Sequence, residues 1–223
     1  MMFEHDSIAD IHEDKLVEYL LAVRYWRQWM FGHFGIPEGP IYRERVPLDT
    51  APGGLPRKGD IDVLLSGRGK FEESVAYQVK RVKVSLAQLR AKTPGKLQDL
   101  KEAVRQANLL VDVGFWKVYL YIFALIDARE LDLRADDRLH FNEIKYKISL
   151  AIGNSIADLN IRVGLFEVEL VQTTDSAPTT FDRAGGHLRR QASAAPQSYE
   201  LTEWVSEVFS QERPNELSRV LLE

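Results

Sequence analysis

Three residues in the stretches KGDIDVLL and AYQVKRV have types and spacing suited to one chemistry: Asp62, Gln78 and Lys80. Asp62 lies near the start of a short, largely apolar stretch, Ile61 to Leu65. Gln78 and Lys80 lie two apart in the alternating segment Val75 to Val82, so in a strand they share a face. If the two strands pair through a turn at Gly67 and Gly69, the carboxylate meets the amide and the ammonium on one small area of sheet. A hard divalent cation, Mg²⁺ or Mn²⁺, takes one or two protein carboxylates and further oxygen ligands, leaving room for phosphate oxygens. A nearby ammonium orients an attacking water or stabilises charge building on phosphorus. The chemistry these groups suit is metal-dependent hydrolysis of a phosphodiester, with Asp62 and Gln78 as metal ligands. Asp60 is open to two readings, a further ligand or a turn residue. Softer metals are not expected, because there is no cysteine and no spaced histidine pair completes a site with His5 or His12.

These residues need a scaffold. Residues 11 to 30 read as an amphipathic helix with Leu16, Tyr19, Leu20 and Val23 at helical spacing, Asp10 as its N-cap, and Gly32, Gly35 and Pro37 beyond its end. Strands are expected at Ile41 to Val46, Ile61 to Leu65 and Val75 to Val82, with a loop from Asp49 to Gly59. A helix follows from Lys96 to Val113, stopped by Gly114. Then come a central strand, Lys117 to Ile126, a helix from Phe141 to Ile152 closed by Gly153, and a strand from Ile161 to Val171. The expected fold class is α/β, a mixed β-sheet flanked by helices with at least one crossover. We divide the chain into a core at 1–172, a long polar loop at 173–198, and a terminal segment at 199–223 whose helix packs on the same domain.

Apolar and charged residues make up 45% and 28% of the 223-residue chain, as in ordinary soluble domains. The longest apolar run, Val118 to Ile126, suits a buried strand and is too short for a membrane helix. The acidic start, MMFEHDSIAD, lacks the apolar stretch of a secretory signal. Together with the absence of cysteine, this suits a cytoplasmic protein. Net charge is −4, yet from Lys80 to Arg105 eight basic residues face two acidic ones. Such a band either solvates a helix face or follows a phosphate backbone. Under the second reading Lys83, Arg90, Lys92 and Lys96 are nucleic-acid contacts. Arg189 and Arg190, with Arg183 and His187, would then clamp the nucleic acid from the polar loop; a solvated loop is the other reading. Arg81 faces away from Lys80 and is expected in a surface salt bridge. Trp26 and Trp29 are read as packing residues.

GDIDVLL followed by YQVKRV resembles the PD-(D/E)XK nuclease superfamily, in particular the Mrr-like restriction branch that carries Gln-X-Lys. The resemblance spans Asp10 to about Val171. It implies a restriction-endonuclease-like core in the order helix, three strands, helix, strand, helix, strand. The implied activity is Mg²⁺- or Mn²⁺-dependent endonuclease cleavage, of double-stranded DNA, in restriction or anti-phage defence. A homodimer or a partner protein of a defence system fits that setting. By resemblance Asp62 is the metal-binding aspartate, Gln78 the second ligand and Lys80 the catalytic lysine. The chain departs from the nominal motif in having Gly59 and Ile61, not a proline, before and after Asp60, and Gln78 brings no charge.

A glutamate of the first helix commonly joins such sites, and Glu13 is the candidate for both metal binding and catalysis. At about 100° per residue, Glu13 falls within the stripe of Leu16, Val17, Leu20 and Val23, whereas Glu18 falls towards solvent. Glu13 is otherwise a wet first-turn residue favoured by the helix dipole. The rival function is a catalytically inactive nuclease fold serving as a nucleic-acid-binding or scaffold subunit of a larger complex.

Overall fold

The computed structural model describes residues 7–23, 31, 40–52, 59–85, 98–129, 135–173, 183–211 and 215–216. A 3₁₀ turn, Ile8–Asp10, leads into helix α1, Glu13–Ala22. Three strands follow: β1 Pro40–Pro47, β2 Asp60–Gly67 and β3 Lys70–Val84. Then come α2 Gln98–Val113, β4 Lys117–Asp127, α3 Ala135–Ser155, β5 Gly164–Gln172, β6 Arg183–Arg190, α4 Tyr199–Gln211 and a two-residue β7, Asn215–Glu216. The strands form one mixed sheet in the order β6-β5-β4-β3-β2-β1-β7. β1–β2, β2–β3 and β5–β6 are antiparallel, whereas β3–β4 and β4–β5 are parallel. The chain is therefore α/β, with crossovers after β3 and β4 that contain α2 and α3.

β4 is buried along nearly its whole length because helices cover both faces of the sheet. On one side α2, α3 and α4 pack through Leu100, Val104, Ala107, Ile148, Trp204 and Phe209 against Ala76, Leu120 and Ile122. On the other, α1 supplies Leu16, Val17, Leu20 and Leu21 against the aromatic row Tyr77, Tyr121 and Phe123. Gly69 at φ 73° turns the β2–β3 hairpin, and Gly114 at φ 100° ends α2; both are left-handed positions where a side chain costs energy.

Several boundaries differ from the sequence expectation. The span 173–198 is not one long loop, since Arg183–Arg190 forms β6 on β5. RAGGHLRR has neither β-branched residues nor apolar alternation, so only pairing with β5 makes it a strand. Asp10 is not the N-cap of α1: it closes the 3₁₀ turn, which Ser7 caps, and His12 takes the capping position of the helix. α1 ends at Ala22, and residues 24–30, with Trp26 and Trp29, lie outside the described residues. α3 runs through Gly153 to Ser155 instead of stopping there. Ile161 lies in a turn before β5. None of the described helices is long and apolar enough to cross a membrane.

Candidate active site

The β2–β3 ladder ends at the pair Val63 and Tyr77, so one further step of the register sets Asp62 opposite Gln78. There the Asp62 carboxylate takes the place of a ladder partner. Its Oδ2 accepts the Val79 backbone N–H and the Gln78 Nε2, each at 2.6 Å. Gln78 Oε1 is buried and accepts no hydrogen bond among the described residues. A buried carbonyl oxygen left in that state is costly unless a ligand meets it.

Lys80 shares the Gln78 side of β3 and lies at 3.3 Å from both carboxylate oxygens of Glu13, their side chains 22% and 24% exposed. Glu13 Oε2 also accepts the Arg81 backbone N–H at 3.2 Å. Helix α1 thus delivers its first residue to the C-terminal half of β3. What holds it there begins before the helix. Ser7 Oγ donates to Asp127 Oδ2 at 2.5 Å, and the Ile8 N–H donates to Gln172 Oε1 at 2.8 Å. Asp127 and Gln172 are buried at the ends of β4 and β5. The Arg81 guanidinium, on the α1 face, donates to the Ile11 carbonyl. Ser7, Asp127, Gln172 and Arg81 were not legible as site residues, because their contacts join segments 70 to 164 positions apart. Arg81 is on the face opposite Lys80, as alternation requires. The expected surface salt bridge is replaced by this clamp on the chain entering α1.

Burial drives the Asp62 pKa up to about 7, opposed by the Val79 N–H and reinforced by the charges of Glu13 and Asp60, with Lys80 pulling it down. Burial above all, with like charge from Glu13 and Asp60, disfavours the ionised carboxylate, and a bound cation would favour it. Asp60 is exposed and acts on Asp62 only through its charge. Glu102 on α2 is close enough for Lys80 to lower its pKa, after the dominant bond from Arg105, so α2 flanks the cluster.

Asp62 and Gln78 fit a hard cation. One is a carboxylate with an oxygen not used by Val79 or Gln78, and the other a buried amide oxygen with nothing to accept. Glu13 adds a second carboxylate through its contact with Lys80. No group of three or more histidine, aspartate and glutamate residues suited to a metal occurs among the described residues.

The expected nucleic-acid contacts divide. Lys83 is exposed on β3, while Arg90, Lys92 and Lys96 lie outside the described residues. Arg189 and Arg190 sit on β6, the far edge of the sheet from β1. Arg189 bonds Glu167 and Ser149, both at 2.9 Å, and Arg190 bonds the carbonyls of Val163 and Asn160 at 2.7 and 2.9 Å. The structure does not bring this pair to the carboxylate cluster. A groove of about 510 Å³ lies instead between β1 and α4, lined by Arg43, Arg45, Pro47, Trp204 and Glu207 among others, with none of Asp62, Gln78, Lys80 or Glu13 in its wall.

Glu18 provides the internal control for Glu13. It faces outward, bonded to Lys15 at 2.7 Å and Arg45 at 3.3 Å. Glu13→Gln is expected to weaken Mg²⁺ binding and any cleavage by 10-fold or more, and Glu18→Gln to change either by less than twofold. Calorimetric titration of both variants tests this, and the reverse pattern would remove α1 from the site. Comparison of the chain with known protein families and with curated proteins finds no match.

Proposed function

We propose that the protein is a metal-dependent nuclease of the PD-(D/E)XK kind that hydrolyses phosphodiester bonds, DNA being the substrate its sequence resemblance implies. The observation that carries the reading is the meeting of Asp62, Gln78, Lys80 and Glu13 where the β2–β3 ladder ends, with the Gln78 carbonyl oxygen left to accept a ligand. The order of helix α1, strands β1 to β3, α2, β4, α3 and β5 supports a restriction-endonuclease-like core.

In this reading Asp62 and Gln78 hold Mg²⁺ or Mn²⁺, with Glu13 beside them. When bound, such a cation would neutralise phosphate charge and lower the pKa of a water at the reacting phosphorus. The Val79 N–H and Gln78 Nε2 fix the Asp62 carboxylate before substrate arrives, which reduces the reorganisation left to catalysis. Glu13 holds the Lys80 ammonium beside the phosphate position. From there Lys80 donates hydrogen bonds to the attacking water or to a non-bridging oxygen. Water adds to phosphorus, losing a proton to solvent, as the bond to the departing sugar oxygen breaks, and that oxygen takes a proton from solvent to leave as a hydroxyl. A role in restriction or anti-phage defence, in the cytoplasm, as a homodimer or beside a defence partner, rests on resemblance alone.

The second reading is an inactive nuclease fold that binds nucleic acid or scaffolds a complex. It is favoured by the absence, among the described residues, of a cluster of three metal-suited side chains. Incubating plasmid, single-stranded DNA and RNA with the protein separates the two. A nuclease degrades at least one of them with Mg²⁺ or Mn²⁺ and stops in excess EDTA. An inactive module retards nucleic acid in a gel and cleaves none. Cleavage undiminished after exhaustive chelation would sink the cation assignment.

A further inference from the structure

Both strands beside Asp62 change face at the same place. In a regular strand Tyr42 and Val46, four apart, point the same way. Here Tyr42 packs in the core under α1, and Val46 in the core under α2 to α4. In β2 the same break falls between Ile61, under α2 to α4, and Val63, under α1, although they are two apart. The β1–β2 register runs Glu44 with Val63 and then Val46 with Ile61. The pair between them, absent from the ladder, is Arg45 and Asp62. Arg45 has φ 52°, the one positive φ outside glycine among the described residues.

Non-glycine residues avoid that region because Cβ crowds the following carbonyl. Such a conformation persists only where its surroundings enforce it. The Arg45 contact to Glu18 is 3.3 Å long and its side chain is 50% exposed, a surface pair of small effect.

We infer that Arg45 is a positioning residue, whose left-handed backbone sets the paired change of face that turns the Asp62 carboxylate into the gap between β2 and β3. With regular alternation through 45 and 62, Asp62 would project from one face of the sheet. It would then miss the Val79 N–H, a backbone donor in the plane of the sheet, which binds it at the ladder's end. Arg45 need not touch a reactant. Its effect reaches the site through the backbone of the neighbouring strand. The inference deepens the nuclease reading and depends on it only where Mg²⁺ binding is measured.

The test compares residues that tolerate a left-handed backbone with residues that do not. Arg45→Gly and Arg45→Asn should keep the Val79 amide resonance in its wild-type position and bind Mg²⁺ within about twofold of wild type. Arg45→Val should displace that resonance and weaken Mg²⁺ binding 10-fold or more. Arg45→Gly should also melt above Arg45→Ala, since both lose the Glu18 contact and only glycine takes φ 52° freely; this comparison stands even if the valine variant does not fold. Glycine and alanine variants of equal Tm, or a glycine variant that displaces the Val79 resonance, overturns the inference. So does an unaltered valine variant. A wild-type protein that binds Mg²⁺ and shows the Arg45 pattern but cleaves no nucleic acid overturns the nuclease reading and leaves this one standing.

Discussion

Under the proposed nuclease function, Lys80→Ala is expected to lower cleavage by about 10²–10⁴-fold, the usual contribution of a positioned acid–base or electrostatic group. The fold should survive the change. Lys80 is 22% exposed and its partner Glu13 24%, so the pair is wet enough to contribute little to stability. A change of about 1 kcal/mol would move Tm by roughly 2–4 °C in a chain of this size. Lys80→Met, which keeps the aliphatic stem, should match the alanine variant in activity and lie closer to wild type in Tm. Mg²⁺ affinity should stay within a few-fold, because the ammonium is not a ligand. Normal cleavage by either variant would remove Lys80 from the mechanism. Cleavage loss accompanied by a fall of 10 °C or more would identify a structural lysine instead.

Asp62→Asn should abolish cleavage and, above pH 7, raise stability. In the native protein burial holds the Asp62 pKa at about 7, against an ordinary value of 3.8. Between these values the folded state binds more protons than the unfolded state. Stability from this group is therefore complete below about pH 4 and is lost as pH rises through 7. Asp62 is only partly exposed, and allowing for the solvent that reaches it, ionisation costs about 2 kcal/mol at pH 8. Asparagine removes that cost and keeps an oxygen for the Val79 N–H. The variant should melt roughly 4–8 °C above wild type at pH 8 and level with it at pH 4. Adding Mg²⁺ should narrow the gap by stabilising the wild type alone. Thermal melts of both proteins at pH 4 and pH 8, with and without Mg²⁺, measure all of this. An asparagine variant less stable than wild type at pH 8 would mean that Asp62 is held by bonds stronger than its burial cost.

These variants stabilise or disable a site whose two halves were unequally legible. Asp62, Gln78 and Lys80 were readable because they lie on a hairpin. Strand alternation and a turn at Gly69 fix their relative places within 19 residues, and the observed register bears this out. The central strand β4 and the helix α2 were equally plain, since apolar runs and helical periods are local signals. The α/β class followed from their order.

Glu13 was reached by helical phase, but phase says only which way a side chain leaves its helix. Its contact with Lys80 exists because Ser7 and Ile8 bond to the ends of β4 and β5 and Arg81 holds Ile11. Those bonds join residues far apart in sequence, and nothing local encodes them. β6 has the same origin: RAGGHLRR becomes a strand because β5 offers an open edge, and its arginines then find partners in Glu167, Val163 and Asn160. The left-handed Arg45 is the extreme case, since local preference opposes it and the two cores on either side of the sheet impose it. The sequence by itself determined the hairpin, the apolar faces and the three residue types that suit a phosphodiester, because each depends on patterns within one helix or one hairpin. Only the tertiary structure decided how Asp62 is aimed, how Glu13 arrives and which arginines are already bonded, because those outcomes depend on which distant backbone groups the packed sheet leaves unpaired.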